Sequence, residues 1–250
     1  MFSSLKVRDF RLYWFGMLIS LVGTWIQTIT QSWLVFNLTN SAFLLGLVGF
    51  LGSIPIFLLS LFGGVLADRI DKRRILLITQ IAFMALAFIL AILTQFKLIT
   101  PLQIMLIALL NGTVMAFDAP ARQSVVVELA GKQHLMNAIA LNSAAFNSAR
   151  VIGPALAGIL ISVIAMSGCF YINGISFIAV IISLLLIRNN STHKVKKGGV
   201  LISDLLEGLK FIAGKRIILV LISMVGVTSL FGISYVILMP IFANNVLKVG

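Results

Sequence analysis

The sequence predicts an all-α, polytopic membrane protein with about seven transmembrane helices, and three observations predict it. Sixty per cent of the 250 residues are hydrophobic and only 10% charged, with a mean hydropathy of +1.12, whereas a soluble domain carries about 25% charge. Seven apolar stretches, residues 12–36, 44–66, 75–96, 101–117, 138–166, 168–187 and 217–242, approach or exceed the roughly 20 residues needed to cross the hydrocarbon core. They are too long and too uniform for the alternating strands of a membrane barrel, so helices must satisfy their backbone in lipid. Finally, basic residues crowd into alternate loops.

That third observation sets the topology. Lys6, Arg8 and Arg11 precede the first span; Arg69, Lys72, Arg73 and Arg74 follow the second; Arg122 and Lys132 follow the fourth. Arg188, Lys194, Lys196, Lys197, Lys210, Lys215 and Arg216 follow the sixth, which puts 16 of the 19 basic residues on one side. The other side has Lys97 and Lys248, and Arg150 lies within the fifth span. By the positive-inside rule the N-terminus is cytoplasmic and the protein multi-pass in the plasma (inner) membrane. The net charge of +12 is therefore a topology signal and implies no nucleic-acid partner.

In chain order, the first span carries a polar stripe, Ser20, Thr24, Gln27 and Gln31, beside Trp25 and Trp33. Amides facing lipid are costly, so this face belongs to the bundle interior, either lining a cavity or bonding between helices. The second span ends in Gly64-x-x-x-Asp68-Arg69-Ile70-Asp71-Lys72-Arg73-Arg74, a charged turn before the third span. Short outer connections, at 37–43, at 97–100 and near Ser167, make consecutive helices antiparallel neighbours. The fourth span ends at Asp118-Ala119-Pro120-Ala121-Arg122-Gln123, which opens an expected loop over 118–137.

The fifth span holds Arg150, and a mid-span guanidinium costs about 2.5–3.5 kcal/mol on the lenient insertion scale. Ser143, Asn147, Arg150 and Pro154 recur at helical spacing on one face. That face suits a wet cavity in which Arg150 meets an anionic or polar group; the alternative is an inward ion pair of Arg150 with Asp118 or Glu128. Pro154 bends the helix, and Gly153 and Gly158 permit close approach of a neighbour. After the sixth span, the loop 188–216 contains apolar residues at helical spacing over 201–212. These predict either an amphipathic helix on the inner membrane face or a solvated connector. Leu18–Gly23 in the first span returns as Leu221–Gly226 in the seventh, the pairing that two parallel halves would produce.

The Gly64–Arg74 turn resembles the loop 2–3 signature of the major facilitator superfamily. The Asp118-x-Pro120-x-Arg122-Gln123 segment resembles the branch holding the enterobactin exporter and macrolide efflux permeases. The Gly153-Pro154-x-x-Ala157-Gly158 run is similar to the fifth-helix motif of the family's drug antiporters. The resemblance covers essentially the whole chain and implies a major facilitator-type bundle incomplete relative to twelve helices. Residues 1–190 would be the N-terminal six-helix half, 191–216 the loop between halves, and 217–250 helix 7 with the start of a C-terminal half.

It implies a secondary transporter, efflux permease-like, moving a small molecule by alternating access. Asp68, Arg69, Arg73, Asp118 and Arg122 would form the cytoplasmic charge network of the gate. Thr24, Gln27, Gln31, Asn147 and Arg150 would line the substrate cavity, and Gly64, Gly153, Pro154 and Gly158 would serve helix packing. The arginine that many transporters carry four residues before the helix 4 glycine is Ala108 here. No Asp or Glu falls inside an expected span, so a coupling proton would use the gate carboxylates or a missing C-terminal half. The alternative is a truncated, non-transporting membrane protein or a subunit docking on another permease. No phosphate loop, nucleophile constellation or metal cluster is present in the sequence, and Cys169 is its single cysteine; enzyme activity, cofactor and metal are not expected.

Overall fold

In the computed structural model, residues 3–187, 214–227 and Ile241 are described. After a short 3-10 turn at Ser3–Lys6 come α1 (Arg8–Thr39), α2 (Ala42–Arg69) and α3 (Lys72–Gln95). A helical run of 86 residues, Pro101–Leu186, follows. Straight, it would extend roughly 130 Å at 1.5 Å per residue, several times a bilayer core. It turns instead at Gly131 (φ 65°, ψ 167°) and at Ala165 (φ 59°, ψ 175°), giving α4 (101–130), α5 (132–164) and α6 (166–186). Gly131 takes a positive φ without penalty, whereas Ala165 holds one against its Cβ. A last helix, α7, occupies Arg216–Val227.

Sharp caps close the connections. Asn40, left-handed at φ 45°, ends α1 with its N–H on the Phe36 carbonyl, and Ser41 at once caps α2 by accepting from the Leu44 N–H. Asp71 caps α3 by accepting from the Arg73 N–H at 3.0 Å. Thr100 and Gln103 form a reciprocal capping box ahead of α4, with Pro101 in the first turn, where its missing donor costs nothing.

The expected loop at 118–137 does not exist. Helix α4 continues through Pro120 to residue 130, and α5 starts at 132. The charges that suggested a loop, Asp118 and Arg122, neutralise one another at i,i+4 within the helix. Pro120 cannot donate to the Ala116 carbonyl, and Gly63 of α2 packs directly against that freed oxygen. The break expected near Ser167 falls at Ala165. Of the seventh span, residues 216–227 are helical; the remainder, with the segment 201–212 and Lys194, Lys196 and Lys197, lies outside the described residues.

Helix partnerships also differ from chain order. α1 scarcely touches α2, and α2 scarcely touches α3, although two-residue connections join them. α4 sits between α2 and α3, while α1 packs on α5 and α6. Close approach decides this: Gly112 of α4 lies against the Gly52 carbonyl of α2, Gly153 of α5 against Trp25, and Gly16 of α1 against Ala179 and Ser183 of α6. Small residues let backbones meet where no hydrophobic drive between helices operates. Two apolar clusters cap the bundle, one around Phe10, Tyr13, Leu76, Val125 and Leu184, the other around Val35, Leu45, Leu90, Ile104 and Phe170.

Candidate functional site

Between those clusters lies a cavity of about 520 Å³, within the size range of drug-sized ligand sites. α1 supplies Ser20, Thr24, Gln27, Thr28, Gln31 and Ser32; α2 supplies Ser53 and Gly52; α4 supplies Asn111, Asp118, Arg122 and Gln123. Phe83, Asn142, Phe146, Asn173 and Phe177 from α3, α5 and α6 complete the wall. The α1 stripe faces inward, and its hydroxyls are satisfied along the helix. Thr24 donates to the Ser20 carbonyl and Thr28 to the Thr24 carbonyl, each at 2.9 Å, and Ser32 to the Thr28 carbonyl at 3.0 Å. Gln27 accepts from Asn173 Nδ2 at 2.7 Å, a buried amide bridge from α1 to α6.

At the end of the cavity where α4 meets α3, Asp118 is completely buried. Its Oδ1 accepts from Thr79 Oγ1 and from Gln80 Nε2, both at 2.7 Å. Its Oδ2 accepts from Arg122 Nε at 2.9 Å and Nη2 at 2.7 Å. Buried Tyr13 of α1 is within electrostatic reach of both charges. A buried carboxylate is tolerated only when its oxygens are answered in this way. Arg122 Nη1 and Gln80 Oε1 are buried without a hydrogen-bond partner among the described residues.

Residues 1–250 match the family described as transmembrane secretion effector. The chain belongs to that family of major facilitator transporters. It is 35% identical over 165 residues to the staphyloferrin A transporter of Staphylococcus aureus, an alignment covering 65% of this chain and 42% of the relative. It is 28% identical to the enterobactin exporter EntS of Salmonella typhi, over 70% of this chain and 42% of the relative. With macrolide efflux protein A of Streptococcus pyogenes the identity is 22%, over 70% and 43%. The chain thus spans about half the length of the curated relatives it matches. It is a multi-pass membrane protein of an efflux-type transporter branch.

In this major facilitator chain the sequence-selected residues separate into distinct sets. Thr24, Gln27 and Gln31 are in the cavity wall, whereas Asn147 and Arg150 are not. Asn147 is exposed and donates to the Ser143 carbonyl at 2.8 Å, and the Arg150 guanidinium lies 5.9 Å from the Trp25 ring centroid. Of the two carboxylates suggested for Arg150, Asp118 pairs with Arg122 and Glu128 with Lys72. Asp118 and Arg122 lie inside α4 in the cavity wall, contrary to the expected loop placement. A proline after an aspartate reads as a turn signal, and here it is not one.

The other gate residues lie at the ends of α2 and α3. Asp68 is exposed at the end of α2, with Arg69 half-buried beside it. Arg73 Nη2 donates to the Leu185 carbonyl at 3.1 Å, closing the end of α6, and Lys72 pairs with Glu128 at 3.4 Å. Gly153 and Pro154 lie where α5 meets α1, but Gly64 and Gly158 face open space among the described residues. Thr79, Gln80, Asn111, Asn142 and Asn173 were not anticipated. Each is a polar side chain in an otherwise apolar helix, which was the available signal.

Proposed function

We propose that this chain forms the first half of a secondary transporter that carries a small molecule out of the cell by alternating access, with a proton as the coupling ion. The carrying observation is a cavity walled mainly by α1, α2 and α4, with amides and hydroxyls from five helices and apolar clusters at both ends. Polar side chains within membrane helices are retained where they face a water-filled path. The family and its efflux relatives support the outward direction, and a second half facing this one would complete the rocking unit.

The proposed orientation puts the N-terminus and the 68–74 turn in the cytoplasm of the inner membrane, on the strength of the basic-residue distribution. Asp68, Arg69 and Arg73 are proposed as cytoplasmic gate residues, and Gln27 and Gln31 as substrate contacts. Arg150 and Asn147, on an α5 face outside the present cavity, are proposed to join the path in another state of the cycle. Inverted membrane vesicles from cells expressing this chain together with a second half should accumulate a transported compound when an inside-acid pH gradient is imposed, and vesicles with this chain by itself should not. Accumulation should collapse when the gradient is dissipated, and uptake indifferent to the gradient refutes the coupling.

A further inference from the structure

Among the described residues, the charged groups of the cavity wall are one carboxylate, Asp118, and one guanidinium, Arg122. The two differ in what they have left to offer. Asp118 is enclosed, and four hydrogen bonds from Thr79, Gln80 and Arg122 occupy both its oxygens, which fills the acceptor capacity of a carboxylate. Among the described residues, a cation entering the cavity meets no carboxylate oxygen with a vacant site. Arg122 spends only one edge, Nε with Nη2, on Asp118 Oδ2. Its side chain is 18% exposed as a whole, while its Nη1 is itself buried and unanswered among the described residues, so a ligand must come into direct contact to reach it. In the planar guanidinium the Nη1–Nη2 edge is a second fork, turned away from the first. It matches the spacing of a carboxylate or other oxyanion. Gln80 Oε1, the other unanswered atom of this cluster, belongs to a residue outside the cavity wall and competes for nothing there.

We propose that Arg122 is an oxyanion-binding residue of the cavity and that the substrate carries a carboxylate-type group, with Arg122 held between Asp118 on one side and the ligand on the other. The inference rests on the transport reading and narrows it to anionic or acid-bearing substrates. Asp118 orients the guanidinium but offsets its charge, so removing the Asp118 charge strengthens the attraction for an anion. A purely structural ion pair gives the opposite expectation, because loss of either partner loosens the wall.

The test is calorimetric titration of the full chain in lipid nanodiscs with three probes on one ring: benzenetricarboxylate, its triamide and tris(aminomethyl)benzene. The tricarboxylate should bind saturably and the triamine should not. Asp118→Asn should tighten tricarboxylate binding several-fold. The Asp118→Asn/Arg122→Gln double variant keeps the buried cluster neutral and therefore folded, and should weaken binding by about tenfold or more. The inference is overturned by triamine binding as tight as that of the tricarboxylate, by no tricarboxylate binding, or by a double variant that binds it like the parent. Export of a cationic compound would remove this inference and leave the transport reading standing. Absence of flux for every charge class would remove that reading itself.

Discussion

Thr79 and Gln80 show how much a neutral side chain can matter when it is buried beside a charge. Together with Arg122 they make the Asp118 carboxylate tolerable, and the four groups act as one unit. Arg122→Gln alone should therefore be the most damaging change here, because it strands a buried charge at a cost of about 3–5 kcal/mol. Pairing it with Asp118→Asn should recover most of that loss. Thermal unfolding in detergent checks the order: Arg122→Gln lowest, the double variant well above it, the parent highest. An Arg122→Gln protein as stable as the parent contradicts the geometry. The α1 stripe was legible in the sequence because four polar residues recur on one helical face. Thr79, Gln80 and Asn173 were not, since an isolated polar residue in a span reveals neither its face nor its partner.

Helix α4 owes its central position to glycine rather than to its neighbours in the chain. A side chain at Gly112 would strike the Gly52 carbonyl, and one at Gly63 the Ala116 carbonyl, while Gly64 meets nothing among the described residues. Gly63→Val and Gly112→Val should each cost about 1–3 kcal/mol by forcing α2 and α4 apart. Gly64→Ala should leave the melting temperature within about a degree of the parent, its cost limited to tenths of a kcal/mol. A reversed order at the adjacent pair, Gly63 tolerant and Gly64 sensitive, would overturn the α2–α4 packing. The length and apolar character of the spans fixed the helices in advance, yet not which of them touch. Short loops impose antiparallel direction, but contact depends on where small residues let backbones close in. The same reasoning explains the misread loop at Asp118: composition marks polarity, and only the fold reveals that the polarity is turned inward and neutralised.

At the scale of the whole molecule, the basic residues and the charged turn after α2 make two separable claims. The first is orientation. With Lys72→Cys and Lys97→Cys prepared singly, and native Cys169 buried, an impermeant thiol reagent added outside intact cells should label position 97 and spare position 72. Labelling in the reverse pattern would invert the topology.

The second claim concerns Asp68. It is exposed at the end of α2 and sits beside Arg69 in a run otherwise explained by anchoring. An exposed carboxylate that interrupts a basic anchor is expected to act in only part of a transport cycle. Asp68→Asn keeps the size and removes the charge. It should therefore leave insertion and melting temperature unchanged and reduce export about tenfold, the loss of roughly 1.4 kcal/mol from one gating state. Equal export at equal protein level would make the turn a topology anchor and nothing more. A drop in export accompanied by a drop in stability would instead assign Asp68 to the fold.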